Sequence, residues 1–366
     1  MDYVGLEVLG PGMGRIGSVD DTLDRARYAL SLKFPSIWNI LGKYKGKKAI
    51  ICGGGPSIAD TLPEIKRQLR LSNRTYIVAL NKTHDWLLAR GVDPKRMIGI
   101  VIDPKPWVAG YQTYRRGVTY LLGSKLHKDT LNKFVGKPNT YLFQMWEYRE
   151  EERDTLGREF PDQHIVHIPG HSTVGLRALN ICYEIGFREM ELHGYDSCHL
   201  GGSTHAYDKN VPNYDNAEET IVIDDLNGNP RSYETNTHMA RQFKEFFDVI
   251  DEFDLTAKTY TREPVKIEIA GTGALPYAVA QRYSRGRCSV RHTNQLWNIS
   301  PTLMPGGNRD VPQIAEMNKI TPTVVNKFVG EYGDFKVMDL DAPIDFTMES
   351  WTIEQVEQPE VIVNNN

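Results

Sequence analysis

The sequence predicts an α/β protein with a mostly parallel, doubly wound sheet, flanking helices, an inserted β-hairpin and an irregular C-terminal extension. Three observations predict it. Short apolar runs alternate with segments of helical periodicity, glycine-bearing turns join several of these runs to the next helix, and one Asn-Gly turn lies between two strand-like runs. Ligands of such Rossmann-like sheets bind beyond the carboxyl ends of the strands. Polar residues that directly follow a predicted strand are therefore the candidate site residues.

The composition is that of an ordinary folded protein. The chain has 366 residues, of which 40% are hydrophobic, and a formal net charge of −4. This charge gives no basic excess for binding nucleic acid. No apolar run approaches the roughly 18–20 residues of a membrane span, and no signal-peptide pattern is present, so we expect a cytoplasmic location. The four cysteines have no CxxC spacing, so neither a disulfide framework nor a zinc site is expected.

The predicted elements follow one another as strand, turn and helix. Asn81 directly follows the second predicted strand, and Asp103 follows the third. The first elements are strands 49–52, 75–80 and 97–102, with helices over 22–32, 58–71 and around 86–89. The later elements are strands 119–122, 139–143, 165–168 and 189–192, a helix over 176–185, a hairpin within 220–236 and a long helix over 237–253.

Three consecutive glycines, Gly53, Gly54 and Gly55, follow the first strand of the sheet. They permit a close approach of backbone to ligand, Pro56 follows them, and Ser57 can cap the next helix. Exposed amides and the helix dipole at this point suit a phosphate. The pattern is neither Walker A nor the dinucleotide GxGxxG. A tight turn without a ligand is the alternative.

A second strand-to-helix junction carries hydroxyl groups. His171 begins it, Ser172 and Thr173 follow, and Gly175 lies in the first turn of the predicted helix. These residues could line the other side of a nucleotide, at its ribose or phosphate. An ordinary N-cap is the alternative, because serine and threonine are common at that position.

Candidate acid–base groups lie at or after strand ends. They are Asp103, Asp196, His193 and His205. His205 lies in a glycine-rich loop and is the preferred catalytic candidate, whereas His193 lies within an apolar strand, which is typical of a core histidine.

Four arginines between 282 and 291 form a basic cluster. They are typical of a solvated face, with an anionic acceptor or a nucleic-acid strand as the alternative.

The order of these motifs is more specific than any one of them. It resembles the 6-hydroxymethylpterin diphosphokinase-like family, which includes motility accessory factor proteins linked to nonulosonic-acid transfer onto flagellin. It is also similar in pattern to bacterial sialyltransferases that use CMP-sialic acid. The segment 267–275 looks like the family's closing strand and glycine turn, and it contains Gly273. The residues that carry the resemblance are 48–58, Asn81, Asp103, 171–175, 194–196 and 204–206.

The resemblance implies a glycosyltransferase that binds a nucleotide-sugar donor as co-substrate and passes the sugar to a hydroxyl of a glycan or a protein. The arginine cluster around Tyr283 adds a modified DNA base as a third possible acceptor. His205 would be the general base, and Asp196 would orient it or bind Mg²⁺. Phosphate would lie on residues 53–57, and ribose or base on Asn81 and Asp103. The nucleotide-site residues implied in this way are Gly53, Gly54, Gly55, Pro56, Ser57, Asn81, Asp103, Ser172, Thr173, Gly175 and Gly273.

Two alternatives remain open. One is a Mg²⁺-dependent diphosphokinase that transfers pyrophosphate from ATP to a 6-hydroxymethylpterin-like alcohol, with Asp103 and Asp196 as metal ligands. The other is a non-catalytic module that binds nucleotide or a protein partner.

We expect three parts along the chain. Residues 1–46 form an N-terminal brace, residues 47–287 the Rossmann-like nucleotide-binding catalytic domain, and residues 288–366 an accessory tail. From 301 onward the tail holds eleven acidic against four basic side chains. It could pack on the core, pair with another subunit in a homo-oligomer, or be partly mobile.

Overall fold

The computed structural model describes residues 19–110, 112–145, 150–207, 219–225, 227–259, 263–285, 288–292 and 295–299. The helices are α1 (Val19–Ser31), α2 (Ile58–Leu71), α3 (Thr83–Ala89), α4 (Lys128–Asn132), α5 (Glu150–Glu159), α6 (Val174–Glu184), α7 (Thr237–Thr259) and α8 (Ala274–Arg285). The strands are β1 (Lys48–Cys52), β2 (Thr75–Leu80), β3 (Met97–Val101), β4 (Thr119–Gly123), β5 (Thr140–Met145), β6 (His167–Ile168), β7 (Glu189–His193), β8 (Glu219–Asp224), β9 (Pro230–Thr235), β10 (Lys266–Ala270), β11 (Cys288–His292) and β12 (Gln295–Ile299).

An eight-stranded sheet forms the centre of the described residues, in the order β10-β7-β1-β2-β3-β4-β5-β6. Every pair of neighbouring strands in it is parallel, which confirms the predicted sheet. Helices cover both faces of this sheet. Successive side chains of a strand point to opposite faces, so neighbouring residues pack against different helices. Ile50 packs in a core with residues of α1 and α2, whereas Ile51 packs in a second core with residues of α6 and α8.

The strand order places a switch point between β1 and β7. Strands β2 to β6 are added on one side of β1, and β7 and β10 on the other. A crevice outside the carboxyl ends of the strands is the usual ligand position at such a point. The turns after β10, β7, β1, β2 and β3 therefore lie next to one another at this edge.

The predicted hairpin is also present. Strands β8 and β9 pair antiparallel across the Asn227–Asn229 turn, and β11 and β12 extend them to a four-stranded sheet. Strands β11 and β12 lie within the stretch expected to be the tail. The remainder of that tail, from residue 300, and residues 1–18 of the expected brace lie outside the described residues. None of the described helices has the length and apolar character that crossing a membrane requires.

Candidate functional site

The turn after β1 packs backbone against backbone on the turn after β7. The Gly53 amide donates to the carbonyl oxygen of His193 at 2.8 Å, and the Gly55 amide donates to that of Gly194 at 2.9 Å. A Cβ on Gly53 would lie 2.5 Å from the Gly194 oxygen. Gly53 is therefore required for the contact between the two turns.

Asp196 joins the turns after β1, β7 and β10. Its carboxylate is buried and accepts hydrogen bonds from the amide of Ser57 at 2.9 Å and from its hydroxyl at 2.5 Å. A Cβ on Gly271 would clash with the Ser57 hydroxyl, and one on Gly273 would lie 2.5 Å from the Cα, Cβ and carbonyl oxygen of Asp196. We call Ser57, Asp196, Gly271 and Gly273 the inner cluster.

Asp196 also supplies a negative charge at the start of α2, in addition to Asp60 in the first turn. Ser57 occupies the N-cap position, but its hydroxyl donates to Asp196 and makes no capping bond, which corrects the predicted cap. An anion at a helix N-terminus is favoured by the helix dipole. Burial raises the pKa of Asp196 to about 6, and the hydrogen bonds from Ser57 oppose that rise.

Most amides of the glycine loop are already used within the protein. Those of Gly53, Gly55 and Ser57 donate to protein oxygens, and Pro56 has no N–H. Among the described residues, the Gly54 amide has no acceptor. Of the amides in this described loop, only that of Gly54 is therefore left to bind a phosphate, and phosphate binding by the loop stays a prediction.

Side chains cover Gly54 on its outer side. Ala206 donates its amide to the Gly54 oxygen at 2.9 Å, and a Cβ on Gly54 would lie 2.7 Å from His205 Cδ2 and clash with the Tyr207 hydroxyl. The ring centroids of His205 and Tyr207 are 5.1 Å apart, and Lys82 Nζ lies 5.1 Å from the Tyr207 centroid. We call Gly54, Lys82, His205 and Tyr207 the outer crevice.

The outer crevice favours a neutral histidine next to a cation. Burial lowers the pKa of His205, and the charge of Lys82 lowers it further, so the imidazole is neutral at neutral pH. His205 Nδ1 lies 2.9 Å from the Thr204 hydroxyl oxygen. Burial raises the pKa of Tyr207 to about 12, which keeps its phenol protonated as a hydrogen-bond donor.

Asn81 and Asp103 lie in the turns that follow β2 and β3, and each side chain accepts a hydrogen bond from a backbone amide. Asn81 has a φ of 44°, and its side-chain oxygen accepts from the Ile102 amide at 3.3 Å. Asp103 accepts from the Lys105 amide at 3.1 Å, and burial raises its pKa. Their roles toward ribose or base stay predictions.

The second predicted junction is engaged with other elements. The amide and hydroxyl of Ser172 both donate to one carboxylate oxygen of the buried Glu245, at 2.8 and 2.5 Å. The Thr173 hydroxyl caps α6. Gly175 is buried under Tyr195, whose hydroxyl donates to the Gly175 oxygen at 3.1 Å. These contacts fit the alternative of an ordinary helix start, and a nucleotide role for these residues stays a prediction.

The structure does not pair Asp196 with His205. Asp196 bonds to Ser57 through both carboxylate oxygens, and His205 bonds to Thr204, so the expected orienting contact is wrong. Within the described ranges, no group of three or more His, Cys, Asp and Glu side chains could hold a metal ion. Magnesium ligation by Asp103 and Asp196 stays a prediction.

Two other predictions concern buried charged groups. His193 is a core histidine as expected, fully buried with Nε2 2.9 Å from a carboxylate oxygen of Glu191. Arg282 was expected on an exposed basic cluster, but it is buried and pairs with Asp251 at 3.1 Å. Its charge is neutralised within the fold, so it is not available to a nucleic acid.

Sequence reasoning missed Lys82 and Tyr207. Lys82 follows Asn81 directly, so its place after a strand end could have indicated it. Tyr207 lies two residues after His205 in the same loop. Neither belongs to a motif of fixed spacing, and their approach to Gly54 depends on the tertiary fold.

In a comparison with known proteins, a family model matches the region that contains most of the motifs. The model of the family described as 6-hydroxymethylpterin diphosphokinase MptE-like matches residues 23–202. No curated protein matches the chain. A solved structure of MAf glycosyltransferase from Magnetospirillum magneticum AMB-1 is similar, with 14% identity and a TM-score of 0.47. The match covers 71% of this chain and only 38% of that one. Over residues 23–202, this chain is thus similar to the 6-hydroxymethylpterin diphosphokinase MptE-like family.

Proposed function

We propose that this protein is a transferase that holds the phosphate of a nucleotide-activated donor in the outer crevice and passes the attached group to a hydroxyl acceptor. One observation carries the proposal. The Gly54 amide, which has no acceptor in the part of the chain that the structure describes, lies with the Lys82 ammonium and the neutral His205 at the switch point of the sheet. An amide and a cation suit a phosphate, and a neutral imidazole suits a hydroxyl proton.

The chemistry requires a base and a site for the leaving group. His205 takes the proton of the acceptor hydroxyl, while the oxygen of that hydroxyl forms a bond to the transferred group. The bond from that group to the donor phosphate oxygen breaks, and the electron pair stays on the phosphate. Lys82 and the Gly54 amide stabilise the negative charge that develops there. Tyr207, held protonated, can donate to a phosphate oxygen.

A sugar is the leading candidate for the transferred group, with a glycan, a protein or a modified DNA base as acceptor. The second candidate is diphosphate transfer from ATP to a 6-hydroxymethylpterin-like alcohol, which the family's description favours. Both reactions need a hydroxyl acceptor and a base. They differ in Mg²⁺, because diphosphate transfer requires it and a CMP-linked sugar donor does not.

A thermal-shift panel of CMP, CDP, UDP, GDP and ATP, each with and without Mg²⁺, tests the proposal. A ligand at 100 times its Kd stabilises the native state by about 2.7 kcal/mol, so at least one nucleotide should raise the Tm by several degrees. Lys82→Gln should reduce the shift, and Lys43→Gln, at a lysine that also lies near a tyrosine ring, should retain it as the control. No shift with any nucleotide would contradict the proposal. Product analysis with the stabilising nucleotide then distinguishes sugar transfer, diphosphate transfer and binding without catalysis.

A further inference from the structure

Trp107 is an exposed aromatic residue on the edge of the sheet where the ligand is proposed to bind. It lies in a 3-10 turn, Pro106–Gly110, that follows Asp103 and the carboxyl end of β3. The residue is 37% exposed. An indole at this edge offers a planar apolar surface on which a base can stack.

The turn that carries Trp107 is fixed from several sides. Arg25 donates to the Pro104 oxygen at 2.8 Å, and Lys133 donates to the Ala109 oxygen. Val108, the next residue, is fully buried in the core. The indole is therefore presented on a rigid backbone, which lowers the entropy lost when a ligand stacks on it.

The turn that carries Trp107 and the loop that carries Gly54 follow strands that are two places apart in the sheet. Gly54 follows β1, Lys82 follows β2, and the Trp107 turn follows β3. Neighbouring strands are about 4.8 Å apart, so β1 and β3 are separated by roughly 10 Å. This is comparable to the span from phosphate to base within a nucleotide. His205 contacts Gly54 on the β1 side, so the acceptor and the base would lie at opposite ends of the donor.

The positive charge of Lys105 beside the Trp107 ring also suits a nucleotide. Lys105 Nζ lies 5.3 Å from the Trp107 ring centroid, which places a cation next to the aromatic surface. A nucleotide contains a planar base and negatively charged phosphates. The base can stack on an aromatic ring, and a nearby ammonium group attracts the phosphates.

We infer that Trp107 is the platform on which the base of the nucleotide donor stacks, an inference that rests on the proposed function. Stacking of one base on an aromatic side chain changes affinity by roughly 5- to 150-fold. This gain in affinity should require an aromatic ring at position 107. Ligands without a base should bind equally well whether or not the ring is present.

Isothermal titration calorimetry with the five nucleotides of the panel and with inorganic diphosphate tests this inference. Trp107→Ala should weaken the tightest nucleotide by about 5- to 150-fold and leave diphosphate binding within about twofold. Trp107→Phe should retain most of the affinity. Trp38→Ala is the matched control, because Trp38 is also exposed but packs on His164, away from the proposed site. Trp107→Leu replaces the alanine variant if that variant does not fold.

Unchanged nucleotide affinity in Trp107→Ala would overturn the inference. An equal loss of diphosphate binding would also overturn it, because that loss would show a structural role. A wild-type protein that binds diphosphate as tightly as every nucleotide would overturn the stacking inference and leave the phosphate site standing. Absence of binding for both kinds of probe would overturn the proposed function as well.

Discussion

Gly53 and Gly54 are neighbours in sequence but meet different surroundings. A Cβ on Gly53 would lie 2.5 Å from the backbone oxygen of Gly194, whereas one on Gly54 would meet the side chains of His205 and Tyr207. The first contact belongs to the packing of adjacent turns, which cannot shift without moving two strands. The second belongs to a loop whose side chains can move. One glycine run thus serves both the fold and the proposed site. Gly53 belongs to the packing of the turns around the inner cluster, whereas Gly54 belongs to the outer crevice.

The largest expected effect is on catalysis in the outer crevice. His205→Ala should lower kcat by about 10²- to 10⁴-fold, because the acceptor hydroxyl loses its base, while nucleotide affinity is retained. Steady-state kinetics and calorimetry on the same preparation measure both quantities. His164→Ala, at an exposed histidine, is the control. Undiminished activity in His205→Ala would refute the base assignment.

Within the inner cluster, the buried carboxylate of Asp196 should make stability depend on pH. Its folded pKa of about 6 exceeds the ordinary value of 3.8, so its stabilising contribution is present below about pH 4 and is lost as pH rises through 6. The difference corresponds to about 3 kcal/mol. The free energy of unfolding of the wild type, relative to Asp196→Asn, should fall by up to this amount between about pH 4 and pH 7.5. Urea denaturation at several pH values measures it, and a difference that is constant or rises with pH would contradict the assignment.

The two neighbouring glycines offer a direct test of the separation. Gly53→Ala should destabilise the fold by about 1–3 kcal/mol or more, because the new Cβ meets a backbone oxygen. Gly54→Ala should cost less stability and should weaken nucleotide binding. Urea unfolding and calorimetry on both variants measure the two properties. Equal stability losses in the two variants would remove the distinction between the two regions.

A smaller effect is expected from the cation of the outer crevice. Lys82→Gln should weaken nucleotide binding by at least about tenfold, since a charge-assisted hydrogen bond to phosphate contributes about 1.5–3 kcal/mol. It should also raise the pKa of His205, because a nearby positive charge is removed. Calorimetry measures the first effect and NMR titration of the His205 ring the second. Lys43→Gln is the matched control, because Lys43 also lies near a tyrosine ring, that of Tyr44. A His205 pKa that stays the same or falls would contradict the arrangement.

The fold could be predicted from sequence because its signals are local. The alternation of apolar strands and amphipathic helices is set by side chains a few residues apart, and it located the parallel sheet and the hairpin. The site depends on distant contacts. Ser57 and Asp196 are 139 residues apart, and Ser172 and Glu245 are 73 apart. A serine before a helix looks the same in sequence whether it caps the helix, binds phosphate or donates to a buried carboxylate.

The dependence on contacts between residues distant in sequence also explains why the surroundings of Arg282 and Lys82 could not be predicted. Arginine near other arginines is typical of an exposed face, but Arg282 is buried and pairs with the partly exposed Asp251 on another helix. Lys82 belongs to no motif, and only the folding of the loop that carries His205 and Tyr207 places it near them. Charge partners of this kind are not encoded by local spacing.

The central claim is that the outer crevice, and not the inner cluster, holds the nucleotide phosphate. Amide NMR of protein labelled with ¹⁵N-glycine tests it most directly, with the Gly54 signal identified by its loss in Gly54→Ala. On titration with the stabilising nucleotide, the account predicts a large shift of the Gly54 amide and small shifts of Gly53 and Gly273. An unmoved Gly54 signal, or an equally large response of Gly53 and Gly273, would contradict it.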